Sequence, residues 1–260
     1  MPSEHENHAE SAVMSWRRAP LAAIAWLAAD GTPDAASVFP LTENGVPFVA
    51  LPYARLELAR ALAASTEVVA VTAPVAGGAV PPVAVRGRVE VIEDPKGERF
   101  HTRGLIEMEL AKYPTSRRRL DSLLLRREHW WFLPRLLVRI VGLGGAHTLP
   151  RDDALLITGG PSLEVSACHL EHRDPLVLGA EARPGGERPA VVLEHGGDLP
   201  ELERAWERRW RGTLVGDRFE TDSVTGEGPS DRPLTLRQRV RAEKQLERAC
   251  KAGLRAAGQA

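Results

Sequence analysis

The sequence predicts a β-rich α+β fold, and three observations lead to this prediction. Asp30-Gly31 and Asn44-Gly45 favour tight hairpin turns, because these residue types tolerate positive φ angles. Between residues 83 and 91, valine alternates with arginine and glutamate, as in a strand with one buried and one polar face. Apolar residues recur at helical spacing over 55–64 and 235–257, which predicts two amphipathic helices.

Composition narrows the class of protein further. The chain has 260 residues, of which 43% are hydrophobic and 27% charged, a balance typical of globular domains. A formal net charge of −1 provides no overall field that would attract nucleic acid or an acidic membrane. No apolar run is long enough to span a bilayer, the charged N-terminus lacks a signal-peptide core, and only two cysteines occur. We therefore expect a cytoplasmic protein with reduced thiols.

The first part of the chain is predicted to form one domain over residues 15–150, preceded by a flexible polar tail over 1–14. Two close hairpin signals predict an antiparallel meander of three strands, over 21–28, 35–41 and 46–51. Asp94-Pro95 is a favourable helix start, since aspartate caps and proline suits the first turn. The remaining predicted elements are a helix over 55–64, strands over 68–71 and 83–91, helices over 95–112 and 115–127, and an extended segment over 129–141.

Residues 151–260 are predicted to form an α+β extension of unknown role. Short strands are expected at 154–157, 163–169, 176–179, 190–194 and 213–220, with a helix over 199–211 and a loop over 222–233. The last helix, over 235–257, carries an apolar seam that should pack on the rest of the protein. The seam consists of Leu236, Val240, Leu246 and Leu254.

Five segments occur in an order that resembles a known family. They are Asp-Gly-Thr-Pro at 30–33, Asn-Gly at 44–45, Leu-Pro-Tyr-Ala-Arg at 51–55, Val-Val-Ala-Val at 68–71 and Val-Ile-Glu-Asp-Pro at 91–95. In this order, residues 16–150 resemble the pyridoxamine 5′-phosphate oxidase-like family of FMN-binding split barrels. The resemblance implies a split β-barrel, a homodimer with two interfacial cofactor sites, and a small-molecule substrate. It implies FMN as the cofactor, with the deazaflavin F420 or haem in other branches.

One departure from the family concerns the phosphate of the cofactor. Flavin-binding members place a hydroxyl residue and, two positions later, a lysine just before the helix, whereas this chain has Leu56 and Leu58 there. Arg55 stands at the predicted helix start, where free N–H groups and the helix dipole favour an anion. If a phosphorylated cofactor binds, Arg55→Ala should weaken binding by about 1.5–3 kcal/mol and leave thermal stability nearly unchanged.

The candidate cofactor-binding residues are Pro52, Tyr53, Arg55, Arg60, Arg86, Arg88 and Trp131. Each has a purely structural alternative. The arginines fit solvated helix or strand faces equally well, with Glu90 available to pair with Arg86 or Arg88. Trp131 fits a core or a dimer interface, and Arg135 and Arg139 share its strand face.

Histidine and cysteine residues indicate no metal site by themselves. Cys168, His169 and His172 lie close in sequence, but zinc sites need about four ligands, so an ordinary strand is the better interpretation. A haem iron would require one imidazole, from His101, His129 or His147. No P-loop, dinucleotide fingerprint, nucleophile elbow or zincin motif occurs, and no catalytic residue is predicted.

Three functions remain open on the sequence. The first is an FMN- or F420-dependent oxidoreductase, in which the cofactor performs the redox step. The second is a non-catalytic or haem-handling binding protein that has lost the phosphate grip. The third is an interaction protein in which the C-terminal region closes the groove. A homodimer is expected, because strands 83–91 and 130–141 carry more apolar surface than one small barrel can bury.

Overall fold

The computed structural model describes residues 4–72, 81–113, 116, 130–173, 176–179, 186–197, 205–230 and 234–259. These residues form antiparallel sheets with a few helices, which confirms the β-rich α+β class. Within the described residues, no helix is long and apolar enough to cross a membrane.

The first sheet has seven strands, and their order corrects the predicted meander. The strands are β1 (Ala22–Leu27), β2 (Pro33–Val38), β3 (Pro40–Glu43), β4 (Val46–Pro52), β5 (Val68–Thr72), β6 (Val83–Asp94) and β7 (Arg135–Thr148). Both hairpins form, but the order β2-β1-β5-β6-β7-β4-β3 puts them at opposite edges of the sheet. Only Phe39 separates β2 from β3, and consecutive Cα atoms lie about 3.8 Å apart. One end of β2 and one end of β3 therefore lie next to each other at Phe39, which requires the sheet to curl.

The interior of the curled sheet is apolar and is covered by the N-terminal segment. Val83 and Val85 of β6 and Val138 of β7 face this interior, as the alternation of valines predicts for β6. The segment predicted as a flexible tail instead forms α1 (Glu4–Arg18). Its Trp16 is buried in the same core, and its indole Nε1 donates to the Leu41 carbonyl at 2.7 Å. Ala12 and Trp16 are four residues apart and therefore share one helical face. The polar residues around them conceal this spacing in the sequence.

The helix predicted at 55–64 is confirmed as α2 (Leu56–Ala64), which follows a 3₁₀ turn over Tyr53–Arg55. The helix predicted up to Lys112 is instead two helices, α3 (Glu98–Thr102) and α4 (Leu105–Lys112). Gly104 separates them with a φ of +69°. The Asp94 carboxylate accepts a hydrogen bond from the Phe100 amide at 2.7 Å, so it stabilises the first turn of α3 although it lies outside the helix. Of the helix predicted over 115–127, all but residue 116 lies outside the described residues.

The C-terminal region contains a second sheet of five strands in the order β14-β13-β12-β8-β9, and a two-stranded pair, β10-β11. The strands are β8 (Ala154–Thr158), β9 (Glu164–Cys168), β10 (Leu170–Arg173), β11 (Leu176–Leu178), β12 (Glu187–Gly197), β13 (Ala205–Val215) and β14 (Arg218–Gly226).

The helix predicted over 199–211 is wrong where the structure describes it. Residues 205–211 belong to β13, which pairs with β12 from Ala205↔Gly197 to Val215↔Glu187. This long ladder, together with burial of Trp210, outweighs the helix propensity of a charged local sequence. The loop predicted over 222–233 is also strand as far as Gly226.

The two sheets pack face to face. Ala23 and Val69 of the first sheet share a core with Leu155, Val191 and Leu193 of the second sheet. The C-terminal region therefore covers the outer face of β1 and β5, where alternating small residues allow close approach.

The last helix is confirmed as α5 (Leu236–Ala256), but half of its predicted seam is exposed. Thr235 and Gln238 form a capping box at its start. Leu254 is buried and Leu246 packs beside a buried cluster, whereas Leu236 and Val240 are 77% and 48% exposed. Within the described part of the chain, the buried residues of the helix lie in its C-terminal half. There a Cβ on Gly253 would overlap the Tyr53 carbonyl oxygen.

Candidate functional site

The junction between β4 and α2 is the segment in which the sequence predicts an anion grip. Neither leucine at the family's gripping positions is available to a ligand phosphate. Leu56 is buried in the core of the first sheet, and Leu58 packs against the same core from a half-buried position. Tyr53 is buried and Pro52 half-buried. Arg55 is thus the cationic side chain at the start of the helix.

The Arg55 guanidinium is engaged by the protein itself. Its Nη1 donates to the Ser37 carbonyl at 2.6 Å, and its Nη2 lies 3.8 Å from a carboxylate oxygen of Glu207 on β13. Burial lowers the pKa of Arg55, and the charge of Glu207 opposes that effect. The same Glu207 carboxylate accepts from the Ser37 amide at 2.8 Å. Arg55 therefore ties the start of α2 to β2 and to the second sheet.

Further charged residues extend this contact along β2 and β13. Asp34 lies 3.3 Å from Arg209 and 2.9 Å from Arg211, and Arg209 also lies 3.5 Å from Glu207. The group has three guanidinium groups (Arg55, Arg209 and Arg211) and two carboxylates (Asp34 and Glu207), which leaves one positive charge. Because β2 is an edge strand, these side chains from β13 also bond backbone groups that an edge leaves unpaired.

Two cavities lie on either side of Arg55. One, of about 330 Å³, has an apolar wall that includes Trp26, Leu58 and Ala61, and a charged rim of Asp34 and Arg209. We call it the α2–β13 cleft. The other, of about 200 Å³, is lined by Phe39, Trp206 and their neighbours. A residue of β13 contributes to each cavity, so the second sheet helps to enclose both.

The other predicted cofactor-binding residues are spread over several places and have their own partners. Arg60 pairs with Glu57 at 2.8 Å and bonds the Ala256 carbonyl at 3.2 Å, so it holds the end of α5. Arg86 pairs with Glu67 at 2.6 Å, whereas Arg88 is exposed on β6. Trp131 lies in a buried cluster with Cys250 beneath α5.

The pairing expected for Glu90 is corrected by the strand register. Glu90 lies opposite Arg139 on β7 and pairs with it at 2.8 Å, rather than with Arg86 or Arg88. Arg135, expected on the polar face with Arg139, is instead 2% exposed. Its guanidinium stacks between Phe100 and Phe132 and lies 3.4 Å from Glu109. These contacts make Arg135 a buried structural residue.

The candidate haem ligands do not converge on the α2–β13 cleft. His101 is exposed on α3, and His147 is exposed near the end of β7, where its Nδ1 lies 3.0 Å from the Gly145 carbonyl oxygen. His129 lies outside the described residues.

Sequence reasoning missed Asp34, Glu207 and Arg209. Asp34 sits beside a turn motif and looks like an ordinary surface residue. Glu207 and Arg209 fall in the segment predicted as a helix, where residues two apart point in different directions. On β13 they share the face that meets β2. Glu207 and Arg209 could have been found from the sequence only if this segment had been recognised as a strand.

No protein-family model matches the chain, and no curated protein matches its sequence. Among solved structures, a protein of unknown function from Agrobacterium tumefaciens is 20% identical, with a TM-score of 0.38. That match covers 54% of this chain and 55% of the other, so the chain spans about half of that protein's length. A heme binding protein from Mycobacterium smegmatis is 14% identical, with a TM-score of 0.35 over 97% of this chain and 99% of the other.

A third similar structure is a protein from Clostridium acetobutylicum, described as related to general stress protein 26 and of the pyridoxinephosphate oxidase family. It is 11% identical, with a TM-score of 0.35 over 62% of this chain and 95% of the other. All three TM-scores lie below 0.5, so these similarities fix neither the family nor the ligand.

Proposed function

We propose that this chain is a split-barrel binding protein without the phosphate grip of FMN-dependent enzymes, and that its ligand enters the α2–β13 cleft. The observation that carries the proposal is the engagement of Arg55 by Ser37 and Glu207. The split-barrel assignment is supported by the curl of the seven-stranded sheet, whose edges are joined through Phe39 alone.

An FMN phosphate is disfavoured at the start of α2. A phosphate monoester carries a charge of about −1.5 to −2 near neutral pH. To bind Arg55 it would share a guanidinium that already donates to the Ser37 carbonyl, and it would approach the Glu207 carboxylate, which has the same sign of charge. Leu56 and Leu58 provide no compensating donor. FMN and F420 both contain phosphate. The oxidoreductase hypothesis therefore lacks a site at the start of α2 for the phosphate that would anchor its cofactor.

The chemistry of the cleft favours an organic acid with an apolar body. Its volume of about 330 Å³ lies at the lower end of small-molecule sites. Trp26, Leu58 and Ala61 provide an apolar wall. The Nη atoms of Arg209 contact Asp34, Ala35 and Glu207, but its buried Nε has no hydrogen-bond partner among the described residues and is the donor left at the rim. The charged residues that line the cleft are Arg55, Arg209, Asp34 and Glu57, whose charges sum to zero, so the lining opposes a doubly charged phosphate more than a single carboxylate. Haem, an apolar ring with two carboxylates, is the first member of this class to test.

Spectroscopic titration of the full chain with FMN, F420 and haem separates the three functions. We expect haem to bind saturably at micromolar concentration and to quench the fluorescence of Trp26, which lines the cleft. Neither phosphate-bearing cofactor should saturate in that range. Arg209→Ala should weaken haem binding about tenfold, the loss expected for one charge-assisted contact. Arg188→Ala is the matched control, because neither Arg188 nor its partner Glu164 lines the cleft.

Two results would overturn the proposal. Tight FMN or F420 binding, or a flavin that copurifies with the protein, would restore the oxidoreductase hypothesis. Absence of binding by all three compounds would favour the interaction protein in which the second sheet only closes the groove.

A further inference from the structure

We propose that the N-terminal half of α5 binds an acidic amphipathic helix of a partner protein. The surface concerned, which we call the α5 basic face, is exposed and lines an open cavity of about 650 Å³. The proposal is independent of the proposed function, because no residue of this face lines the α2–β13 cleft. The face consists of four cationic and two aliphatic residues, which are Arg237, Arg241, Lys244, Arg248, Leu236 and Val240.

The four cations form one stripe along the helix. Their spacing of four, three and four residues puts them on the same side of α5, over about 16 Å at 1.5 Å per residue. This side points away from Cys250, Gly253 and Leu254, which are the buried residues of the helix. Within the described part of the chain, none of the four cations forms a hydrogen bond or an ion pair, and no carboxylate lines the cavity. The stripe therefore concentrates positive charge on a chain whose formal net charge is −1.

This arrangement of charges weakens the helix itself. Like charges three or four residues apart on a helix repel each other, and every neighbouring pair in the stripe has this spacing. Arg237 also lies in the first turn, which has no acidic residue and where the helix dipole disfavours a positive charge. The carboxylates of Glu243 and Glu247 do not line the cavity, and Glu247 pairs with Lys251. Unfavourable local choices of this kind are typical of functional surfaces, and a negatively charged partner would turn the repulsion into attraction.

Leu236 and Val240 provide a second, independent observation. Their side chains are 77% and 48% exposed beside the stripe, whereas Leu254 at the other end of α5 is buried. Contact of aliphatic side chains with water is unfavourable, and a partner that covered both would remove it. The capping box at Thr235 stabilises this end of the helix, so both side chains lie on a formed helical turn.

Charge, aliphatic side chains and concave shape together select the class of partner. A nucleic-acid backbone would contact the cations but leave Leu236 and Val240 uncovered, and no described residue of the lining is an aromatic that stacks on a base. Helices that lie on membranes carry a longer apolar face with aromatic residues. A second copy of α5 would bring like charges together. An acidic helix fits, because glutamates at the same spacing would face the cations and adjacent leucines would cover the two aliphatic side chains.

Fluorescence anisotropy of the full chain with a labelled synthetic peptide tests the surface. The probe is a helical peptide as long as α5, with four glutamates at four-three-four spacing and leucines adjacent to the first two. We expect saturable binding at micromolar concentration that weakens as the salt concentration rises, because the contacts are between exposed charges. A peptide of the same composition, with its glutamates distributed around the helix, should bind at least tenfold more weakly.

Charge reversal in the stripe separates specific docking from general attraction. Arg241→Glu/Lys244→Glu should weaken binding at least tenfold, and a peptide with lysines in place of its two central glutamates should bind this variant better than the wild type. Lys96→Glu/Arg218→Glu is the matched control, because it reverses one lysine and one arginine at exposed positions outside the face. Circular dichroism and the melting temperature check that both variants fold.

A Leu236→Ser/Val240→Ser variant measures the aliphatic part of the contact, and should weaken binding severalfold without lowering the melting temperature. Arg209→Ala, which reports on the cleft, should leave peptide binding unchanged, so the two proposals are tested separately.

Four outcomes would overturn the proposal. They are no saturable binding of the acidic peptide, equal binding of the rearranged peptide, binding unaffected by Arg241→Glu/Lys244→Glu, and an equal loss in the control variant. Tighter binding of a DNA duplex, or of vesicles of phosphatidylserine and phosphatidylcholine, that the stripe variant abolishes would also overturn it, by assigning the face to a nucleic acid or a membrane.

Discussion

Replacing Arg55 with alanine should destabilise the protein. The substitution removes a 2.6 Å charge-assisted hydrogen bond to the Ser37 carbonyl, a contact that contributes about 1.5–3 kcal/mol. The ion pair with Glu207 adds little, because its atoms are 3.8 Å apart and the Arg55 side chain is 33% exposed. We therefore expect the free energy of unfolding to fall by about 2–3 kcal/mol. The sequence alone predicts nearly unchanged stability, because it does not show the contacts of Arg55 with β2 and β13.

Urea unfolding followed by tryptophan fluorescence measures this change. The melting temperature should fall by roughly 4–12 °C, at about 2–4 °C per kcal/mol for a chain of this size. Arg188→Ala is the control, and should change the free energy of unfolding by less than about 0.5 kcal/mol, since its pair with Glu164 is exposed.

A double-mutant cycle with Glu207→Gln separates the two contacts of Arg55. The coupling energy between the side chains should stay below about 1 kcal/mol. An Arg55→Ala protein within about 0.5 kcal/mol of wild type would refute the role of Arg55 in joining the sheets.

Three further predictions follow from the packing. Both tyrosines, Tyr53 and Tyr113, are buried. Burial and the charges of Glu93 and Asp94 raise the pKa of Tyr53 to about 12, and burial also raises the pKa of Tyr113. Absorbance at 295 nm should therefore stay flat at pH 10–11 until unfolding. Stability should fall as the pH rises above 10, because only the unfolded chain then loses these protons; a normal tyrosinate titration would contradict this. Gly253→Ala should lower the free energy of unfolding by about 1–3 kcal/mol through overlap with Tyr53, whereas Gly144→Ala, which has open space, should not. The homodimer remains a prediction. The half-buried Val89 and Leu143 leave apolar surface that a second copy of the chain would cover. A monomer by light scattering at micromolar concentration would rule the dimer out.

Local sequence determined the elements whose signals are complete within one segment. The Asp-Gly and Asn-Gly turns formed hairpins, the alternating valines of β6 faced the core, and α2 and α5 began within about a residue of their predicted starts. Each of these signals depends on backbone preference or on side-chain periodicity, which neighbouring residues set by themselves. The leucines at positions 56 and 58 likewise indicate a departure from a phosphate site by their residue type alone, since neither side chain can bind an anion.

Tertiary structure decided the features that depend on partners distant in the chain. The segment around Glu207 has a helical local pattern, yet it is a strand because β12 and β14 supply ladders on both sides. Only that strand places Glu207 against Arg55. Pairing of distant strands cannot be read from local periodicity, because its free energy arises from contacts between segments that the sequence keeps far apart. The composition of the candidate sites was therefore settled by the packing of the second sheet on the first.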